Sequence, residues 1–245
     1  MPPRFGHDEN TVASASHVGR VRETNEDSVA VLESLSAAIL ADGIGGHGGG
    51  GTASRVAVDS IAASLASGTG LVDAIALANQ HVIRVGRRDG NPNMGTTVVA
   101  VQMQGRKFQV AWVGDSRAYR LGAEPELLTR DHSVVGDLQS AGDISAEQAR
   151  THPMRHVLTR ALGSAPLAPA EVATATGQLA SGEYLLLCSD GLHGVIADDE
   201  IHRIVSSAGD VPSAADALVE AALDRGGPDN ISVVLAGPAL PENKA

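Results

Sequence analysis

Apolar residues recur along the chain in two rhythms, and segments of each rhythm come in groups. Strand-like runs at 12–18, 28–32 and 37–41 are followed by segments 51–67 and 71–88, where apolar residues return every three or four positions. That spacing is typical of one face of a helix. The first part of the chain is therefore predicted to form a group of strands followed by two helices.

A second group of strands is predicted after these helices. Runs at 96–101, 108–113 and 118–121 are separated by turn residues and resemble an antiparallel meander. The next segment, 133–156, is polar and irregular, with a short helix predicted at 146–150. We interpret this segment as a surface insertion.

The last third of the chain contains both kinds of element again. It has a fully apolar run at 184–189, helical patterns at 198–207 and 213–225, and a closing strand at 231–236. Strands and helices are thus grouped and do not strictly alternate. Grouping favours an α+β sandwich of sheets with flanking helices over a doubly wound parallel sheet.

Length and composition indicate a single domain. The 245 residues, 43% of them apolar, can bury a large core, and no segment is typical of a linker. We predict one domain at 12–237, with tails at 1–11 and 238–245. The chain has one cysteine, Cys188, no apolar leader and no run of ~18 apolar residues. These features predict a cytoplasmic protein without membrane insertion, and we separately expect it to be a monomer.

The charge balance narrows the choice of partners. The chain has 18 basic and 29 acidic residues, a net charge of −11, and no cluster of Lys or Arg. This argues against nucleic acid as a partner, because such binding depends on neutralising phosphates with positive side chains. A phosphorylated ligand would need local positive charge from bound cations and a few placed arginines.

Four carboxylates each stand at the end of an apolar stretch. They are Asp42, Asp115, Asp190 and Asp229. A single Asp-Gly pair after a strand is most often a turn, because Asp binds nearby backbone and Gly supplies positive φ. Four such positions together favour convergence on one point, and clusters of oxygen ligands suit hard divalent cations. The pattern predicts a metal-dependent hydrolase.

The glycine-rich segment offers two other interpretations, and neither holds. Gly43, Gly45 and Gly48 match G-x-G-x-x-G, but Asp42 would face the pyrophosphate of a dinucleotide. Residues 47–50 imitate the oxyanion loop of a lipase, yet no G-x-S-x-G nucleophile turn follows anywhere in the chain.

Eight short segments occur in a specific order. They are GRVRETNED (19–27), ADGIGGH (41–47), GTT (95–97), VGDSR (113–117), DHS (131–133), LTRALG (158–163), SDGL (189–192) and DNIS (229–232). This ordered set resembles the PPM family of metal-dependent serine/threonine protein phosphatases, also called protein phosphatase type 2C, in its compact bacterial form. The resemblance covers residues 12–236. It implies a four-layer α-β-β-α sandwich with two central antiparallel β-sheets flanked by helices.

The resemblance also implies roles for individual residues. Asp42 would bridge two divalent cations, Mn²⁺ or Mg²⁺, and the Gly43 carbonyl would bind one of them. Asp190 and Asp229 would be the remaining protein ligands of the other cation. Arg22 matches the phosphate-binding arginine of the family. The implied reaction is hydrolysis of phosphoserine and phosphothreonine by a metal-activated bridging water.

Three further acidic residues and one histidine receive roles by the same resemblance. Asp115 matches the position that holds a third, weaker ion. Asp27 would reach the metals through water, and Glu26 would share that outer role. Animal members have a histidine, thought to protonate the leaving group, where this chain has Ile44. The nearest histidine here is His47, for which general acid catalysis and a structural role in the glycine-rich turn both stay open.

The implied partners are phosphorylated protein substrates and a separate bacterial serine/threonine kinase that opposes the phosphatase. Segment 133–156 coincides with the mobile flap of the family, and our hypothesis is that it shapes substrate choice. Two related functions stay open. One is a phosphatase of the same fold that acts on anti-sigma regulators, and the other is a non-catalytic relative that binds phosphoproteins. The non-catalytic alternative is disfavoured because no metal ligand is missing.

Overall fold

Two antiparallel β-sheets lie between two layers of helices. The computed structural model describes residues 4–5, 10–44 and 49–238. The strands in chain order are β1 (Arg4–Phe5), β2 (Asn10–His17), β3 (Ser28–Leu32), β4 (Ala37–Ala41), β5 (Gly43–Ile44), β6 (Gly95–Thr96), β7 (Val98–Gln104), β8 (Lys107–Val113), β9 (Arg117–Leu121), β10 (Pro125–Leu127), β11 (Ala173–Gln178), β12 (Tyr184–Cys188) and β13 (Ile231–Pro238). The α-helices are α1 (Gly50–Ala66), α2 (Leu71–Arg88), α3 (Val134–Ala141), α4 (Ala146–Thr151), α5 (Asp190–His193), α6 (Asp198–Ser207) and α7 (Val211–Asp224).

The strands form one six-stranded and one five-stranded sheet. The strand order is β1-β2-β13-β12-β9-β10 in the first and β11-β8-β7-β4-β3 in the second, and β5 pairs with β6 separately. Every described strand pair is antiparallel. The antiparallel meander predicted from 96 to 121 corresponds to β6 to β9, although β9 pairs in the other sheet.

The strands alternate between two apolar cores, as expected for sheets covered on both faces. In β4 all five residues are buried; Ile39 faces α1 and α2, while Leu40 faces the space between the sheets. In β12, Leu185 points between the sheets and Leu186 points toward α6 and α7. The helices thus cover the outer faces, and the predicted four-layer α-β-β-α sandwich is confirmed.

The segment 133–156, predicted to be irregular apart from one short helix, contains two helices. The unexpected one is α3, which begins after Ser133, whose hydroxyl accepts the Gly136 N–H at 3.1 Å. Gly136 and Ser140 have low helix propensity, which hides this helix in the sequence. The second helix, α4, includes the predicted 146–150.

At both ends the sheet extends past the predicted domain limits of 12 and 237. Strand β2 begins at Asn10, Arg4–Phe5 pairs with it, and β13 ends at Pro238. The expected amino-terminal tail therefore includes a short strand. None of the described helices combines the length and the apolar character needed to cross a bilayer.

Candidate active site

The predicted carboxylates meet where the strands of both sheets end. Asp42 follows β4, Asp115 follows β8, Asp190 begins α5 just after β12, and Asp229 precedes β13. All four line one cavity of about 420 Å³. The complete lining is Arg22, Glu26, Asp42, Gly43, Ile44, Thr97, Asp115, His156, Leu158, Asp190, Asp229 and Asn230. Seven of the nine predicted site residues therefore lie together.

The backbone on both sides of Asp42 is fixed by the threonines at 96 and 97. The Asp42 N–H donates to Thr97 Oγ1 at 3.1 Å, and the Thr97 N–H donates to the Asp42 carbonyl oxygen at 2.8 Å. Thr96 Oγ1 donates to the same carbonyl oxygen at 2.8 Å. Because this carbonyl is satisfied within the protein, the carboxylate is the group that Asp42 offers to the cavity.

Gly43 lies where the chain has no room for a side chain. A Cβ atom at this position would stand 2.3 Å from the Gly50 backbone carbon and 2.7 Å from the Glu26 carbonyl oxygen. Such distances require glycine. The resemblance assigned a cation-binding role to the Gly43 carbonyl, but the close approach of α1 to β5, which requires glycine here, is a tertiary feature.

Arg22 and Asp229 form an ion pair across the mouth of the cavity. Arg22 Nη2 donates to Asp229 Oδ2 at 2.8 Å, and the arginine side chain is 55% exposed. The hydrogen bond and the charge of Asp229 raise the pKa of Arg22 above its ordinary value. The arginine predicted to bind phosphate is thus held beside a predicted metal ligand.

Asn230 organises the loop that carries Arg22. Its side-chain amide donates to the carbonyl oxygens of Val18 at 2.8 Å and Thr24 at 2.9 Å, and its Oδ1 accepts the Glu26 N–H at 2.8 Å. Sequence reasoning assigned Asn230 no role. The available signal was its place in the DNIS segment, directly after Asp229.

The acidic residues at 26 and 27 have different environments. Glu26 lines the cavity, and its Oε1 accepts the Gly51 N–H in the first turn of α1 at 3.3 Å. Asp27 lies behind the cavity wall, and among the described residues neither of its buried oxygens has a hydrogen-bond partner. The hydroxyls of Ser189 and Ser232 are near enough to stabilise its charge, but Ser232 Oγ pairs with Ser16 Oγ at 2.8 Å.

Burial and mutual repulsion raise the pKa of the clustered carboxyls. Burial is the main cause for each. The pKa of Asp42 is well above its usual range, with further contributions from Asp27 and Asp190. The pKa of Asp115 rises to about 8, with Asp190 as the next cause, and that of Asp27 to about 6. So many negative groups in one place need cations to be stable in the charged form.

This donor set fits divalent cations. Within 10–44 and 49–238, no three His, Cys, Asp or Glu side chains already surround one point as a closed metal site. The carboxylates instead line an open cavity, the arrangement expected when ions such as Mg²⁺ keep several waters and take few protein ligands. The unpartnered Asp27 oxygens behind the cavity wall could bind such waters.

Two histidines need separate mention. His47 lies outside the described residues, so its predicted role is not tested. His156, the last residue of the segment interpreted as a surface insertion, lines the cavity with Nδ1 4.0 Å from Asp190 Oδ2. There is little reason in the sequence to place His156 at the site, because this residue belongs to none of the eight segments that carry the family resemblance.

A larger depression of about 810 Å³ lies at the β7–β8 turn and β11, but its chemistry is different. Its lining has a single charged residue, Lys107, and no carboxylate or histidine. The carboxylate cavity is therefore the candidate active site. Its oxygen ligands and its arginine define a hydrolase that acts on phosphate esters with the help of divalent cations.

Comparisons with known proteins agree with this class. The sequence model of the family "Protein phosphatase 2C" matches residues 42–231. The serine/threonine phosphatase stp of Listeria innocua is 36% identical over 232 residues, covering 89% of this chain and 91% of that protein. The structure of the Mycobacterium tuberculosis serine/threonine phosphatase PstP/Ppp has a TM-score of 0.84 and 32% identity, covering 94% of this chain and 99% of that one.

A further structure, the catalytic domain of the serine threonine protein phosphatase PstP in complex with two manganese ions, has a TM-score of 0.83 at 31% identity, covering 94% of this chain and 99% of that one. The chain belongs to the protein phosphatase 2C family. It is accordingly a metal-dependent serine/threonine phosphatase.

Proposed function

We propose that this protein removes phosphate from phosphoserine and phosphothreonine of other proteins with two divalent cations, Mn²⁺ or Mg²⁺. Asp42 would bridge the ions, the Gly43 carbonyl would bind one, and Asp190 and Asp229 would be the remaining protein ligands of the other cation. The observation that carries this proposal is the convergence of these residues on one cavity beside Arg22. The two manganese ions of the related PstP structure support the number of ions.

The bound cations would neutralise the phosphate dianion and lower the pKa of a water molecule toward neutrality, so that water can act as the nucleophile. The protein would fix the positions of the reacting groups. The threonines at 96 and 97 hold the backbone of Asp42, so that its carboxylate would keep a fixed position in the cavity. Asp27 and Glu26 would hold outer waters from the same side of the cavity.

Arg22 would orient the phosphate. Its guanidinium group can donate two parallel hydrogen bonds to two phosphate oxygens, which a lysine cannot reproduce. In the structure Arg22 is occupied by Asp229. A cation held by Asp229 would share the charge of that carboxylate, and the exposed Arg22 would then be free to bind the phosphate.

The leaving serine or threonine oxygen needs a proton. His47 is the candidate from the sequence, and His156 is the histidine that lines the described cavity. If His47 is the general acid, His47→Ala should slow esters with poor leaving groups far more than p-nitrophenyl phosphate. Equal losses on both kinds of ester would argue against that role.

The cellular setting follows from the same family relationship. A bacterial serine/threonine kinase is the expected antagonist, the protein is expected to be cytoplasmic and monomeric, and Asp115 would hold a third, weaker ion.

The test is Mn²⁺-dependent hydrolysis of p-nitrophenyl phosphate and of phosphoserine and phosphothreonine peptides by the purified protein. Activity should be lost with a chelator and in Asp42→Ala. Asp59→Ala, which removes an exposed carboxylate from α1, should keep full activity and serves as the matched control. Folded protein without activity in Mn²⁺ or Mg²⁺ would support the phosphoprotein-binding alternative.

A further inference from the structure

Asp115 stands at a sharp corner that other parts of the chain hold in place. Gly114 has a φ of 112°, and a Cβ there would lie 2.6 Å from Thr97 Cβ. The Gly114 N–H donates to His132 Nδ1 at 3.1 Å, and the His132 N–H donates to the Gly114 carbonyl oxygen at 2.9 Å. On the other side, His193 Nε2 lies 3.0 Å from the Asp115 carbonyl oxygen.

The contact between His193 Nε2 and the Asp115 carbonyl oxygen is possible with only one direction of hydrogen bonding. A carbonyl oxygen can only accept, so Nε2 carries the proton and donates. The 3.0 Å contact is therefore an N–H···O hydrogen bond from the His193 ring to the backbone of Asp115.

His193 is itself anchored to a proposed metal ligand. It ends α5, the single turn that begins with Asp190. This turn packs tightly against the chain before β13, because a Cβ at Gly191 would stand 2.0 Å from the Asn230 carbonyl oxygen. The Gly194 N–H also donates to the Asp190 carbonyl oxygen at 2.8 Å. Asp190 and His193, which holds Asp115, therefore belong to one closely packed turn.

Asp115 and Asp190 also line the same two cavities. One is the carboxylate cavity, and the other is a smaller cavity of about 200 Å³ that also includes His193, Arg117 and Asp131. Asp115 and Asp190 thus lie at the junction of these two cavities.

We propose that His193 is a positioning residue, which holds the Asp115 carboxylate at a fixed separation from Asp190 and thereby sets the affinity for the weaker divalent cation. The proposal rests on the assignment of Asp115 to that ion under the proposed function. Its physical basis is that partners which orient a ligand typically change metal affinity roughly 10–100-fold when removed.

Calorimetric titration of the metal-free protein with Mn²⁺ tests the proposal, because it measures binding independently of activity. The wild type should show tight binding and a separate weak event, and Asp115→Asn should abolish the weak event alone. His193→Leu, which has no donor, should weaken it about 10-fold or more and leave tight binding unchanged. His193→Gln places an amide N–H near the position of Nε2 and should retain the weak event within about threefold.

A matched pair of amides covers the case in which His193→Leu does not fold. His193→Asn has the same chemistry as His193→Gln but is one methylene shorter and cannot reach the Asp115 carbonyl. It should lose the weak event that His193→Gln keeps. In the double variant of His193→Asn with Asp115→Asn, no further loss is expected beyond Asp115→Asn, because both changes act on one ion.

Three results would overturn the proposal. They are an unchanged weak event in His193→Leu or His193→Asn, equal losses in His193→Gln and His193→Asn, and a wild type whose weak event does not depend on Asp115. Hydrolysis of p-nitrophenyl phosphate, measured on the same samples, distinguishes failure of the His193 proposal from failure of the proposed function. A wild type that is active but shows no weak binding event refutes the role of His193 alone, whereas a wild type without activity refutes the proposed function.

Discussion

Arg22 and Asp229 meet through one contact of 2.8 Å, and this contact connects the two parts of the proposed chemistry. The arginine is predicted to bind phosphate and the aspartate to bind a cation. In the structure each satisfies the charge of the other. Binding of a cation at Asp229 and release of Arg22 should therefore be linked, and changes at one residue should be visible at the other.

Arg22→Ala should lower kcat by a factor of about 10²–10³ and leave Mn²⁺ affinity equal or slightly higher, because Asp229 loses a competing partner. Calorimetry and steady-state kinetics measure the two effects separately. Arg84→Ala, another exposed arginine, is the control and should change neither. Loss of Mn²⁺ binding in Arg22→Ala would contradict the assignment.

Gly43→Ala should destabilise the protein and remove activity. The added methyl group would overlap the Gly50 backbone, which must then move away together with the first turn of α1. Overpacking of this kind costs typically about 1–3 kcal/mol or more. Denaturant unfolding measures it, with Gly70→Ala as control, since a Cβ at Gly70 meets no atom within 4 Å. Equal stability of the two variants would show that β5 and α1 can separate freely.

At the scale of elements, the site depends on contacts between segments that are distant in sequence. Arg117 in β9 forms two hydrogen bonds with Asp131, at 2.9 Å and 2.8 Å, and Asp131 precedes α3. Arg117 also donates to Tyr119 Oη at 3.1 Å, and Tyr119 Oη donates to Asp198 in α6 at 3.2 Å. This network attaches α3 and α6 to the sheet behind Asp115.

Arg117→Met should lower the free energy of unfolding by about 3–5 kcal/mol, because it leaves the Asp131 charge buried and unpaired. The double variant of Arg117→Met with Asp131→Leu should recover much of the loss. Arg130→Met is the control; its 3.1 Å pair with Asp137 is exposed on both sides and should contribute less than about 1 kcal/mol. Similar losses in the two single variants would mean that burial does not matter here.

At the scale of the whole molecule, the chain has a net charge of −11, and several of its acidic side chains lie together at the site. Strand ends from both sheets bring carboxylates into one cavity, where burial makes their charged forms unfavourable. The folded protein should therefore depend on cations not only for activity but also for stability at neutral pH.

The metal-free protein should become less stable as pH rises from about 4 to about 8. The pKa values of Asp27 and Asp115, about 6 and about 8, lie above the ordinary value of 3.8, so the folded state holds protons that the unfolded state releases. The stability associated with these protons is complete below pH 3.8 and is lost as pH rises through the folded pKa values.

Thermal denaturation with a chelator measures this trend, and Mn²⁺ should raise Tm more at pH 8 than at pH 6. Asp115→Asn, which removes one repelling charge, should raise the Tm of the chelated protein more at pH 8 than at pH 5. A chelated protein whose Tm is flat between pH 6 and 8.5 would show that the carboxyls are not strained in the folded state.

Much of the fold could be predicted because apolar spacing records it directly. Strands β3 and β4 and helices α2 and α6 have the predicted limits. Helix α3 was missed because glycine and serine conceal its pattern, and β11, with the sequence ATATGQ, lacks the apolar residues that mark a strand. The partly exposed alternation in β11 shows that this strand depends on its pairing with β8.

The sequence by itself determined the grouped strands and helices, the family resemblance and the identity of the carboxylates that line the cavity, because periodicity and ordered motifs are local properties of a chain. Only the tertiary structure decided that Arg22 pairs with Asp229, that Asn230 holds the loop of Arg22, and that His193 supports Asp115. These contacts join residues brought together by sheet pairing and helix packing, and their distances depend on the positions of whole elements.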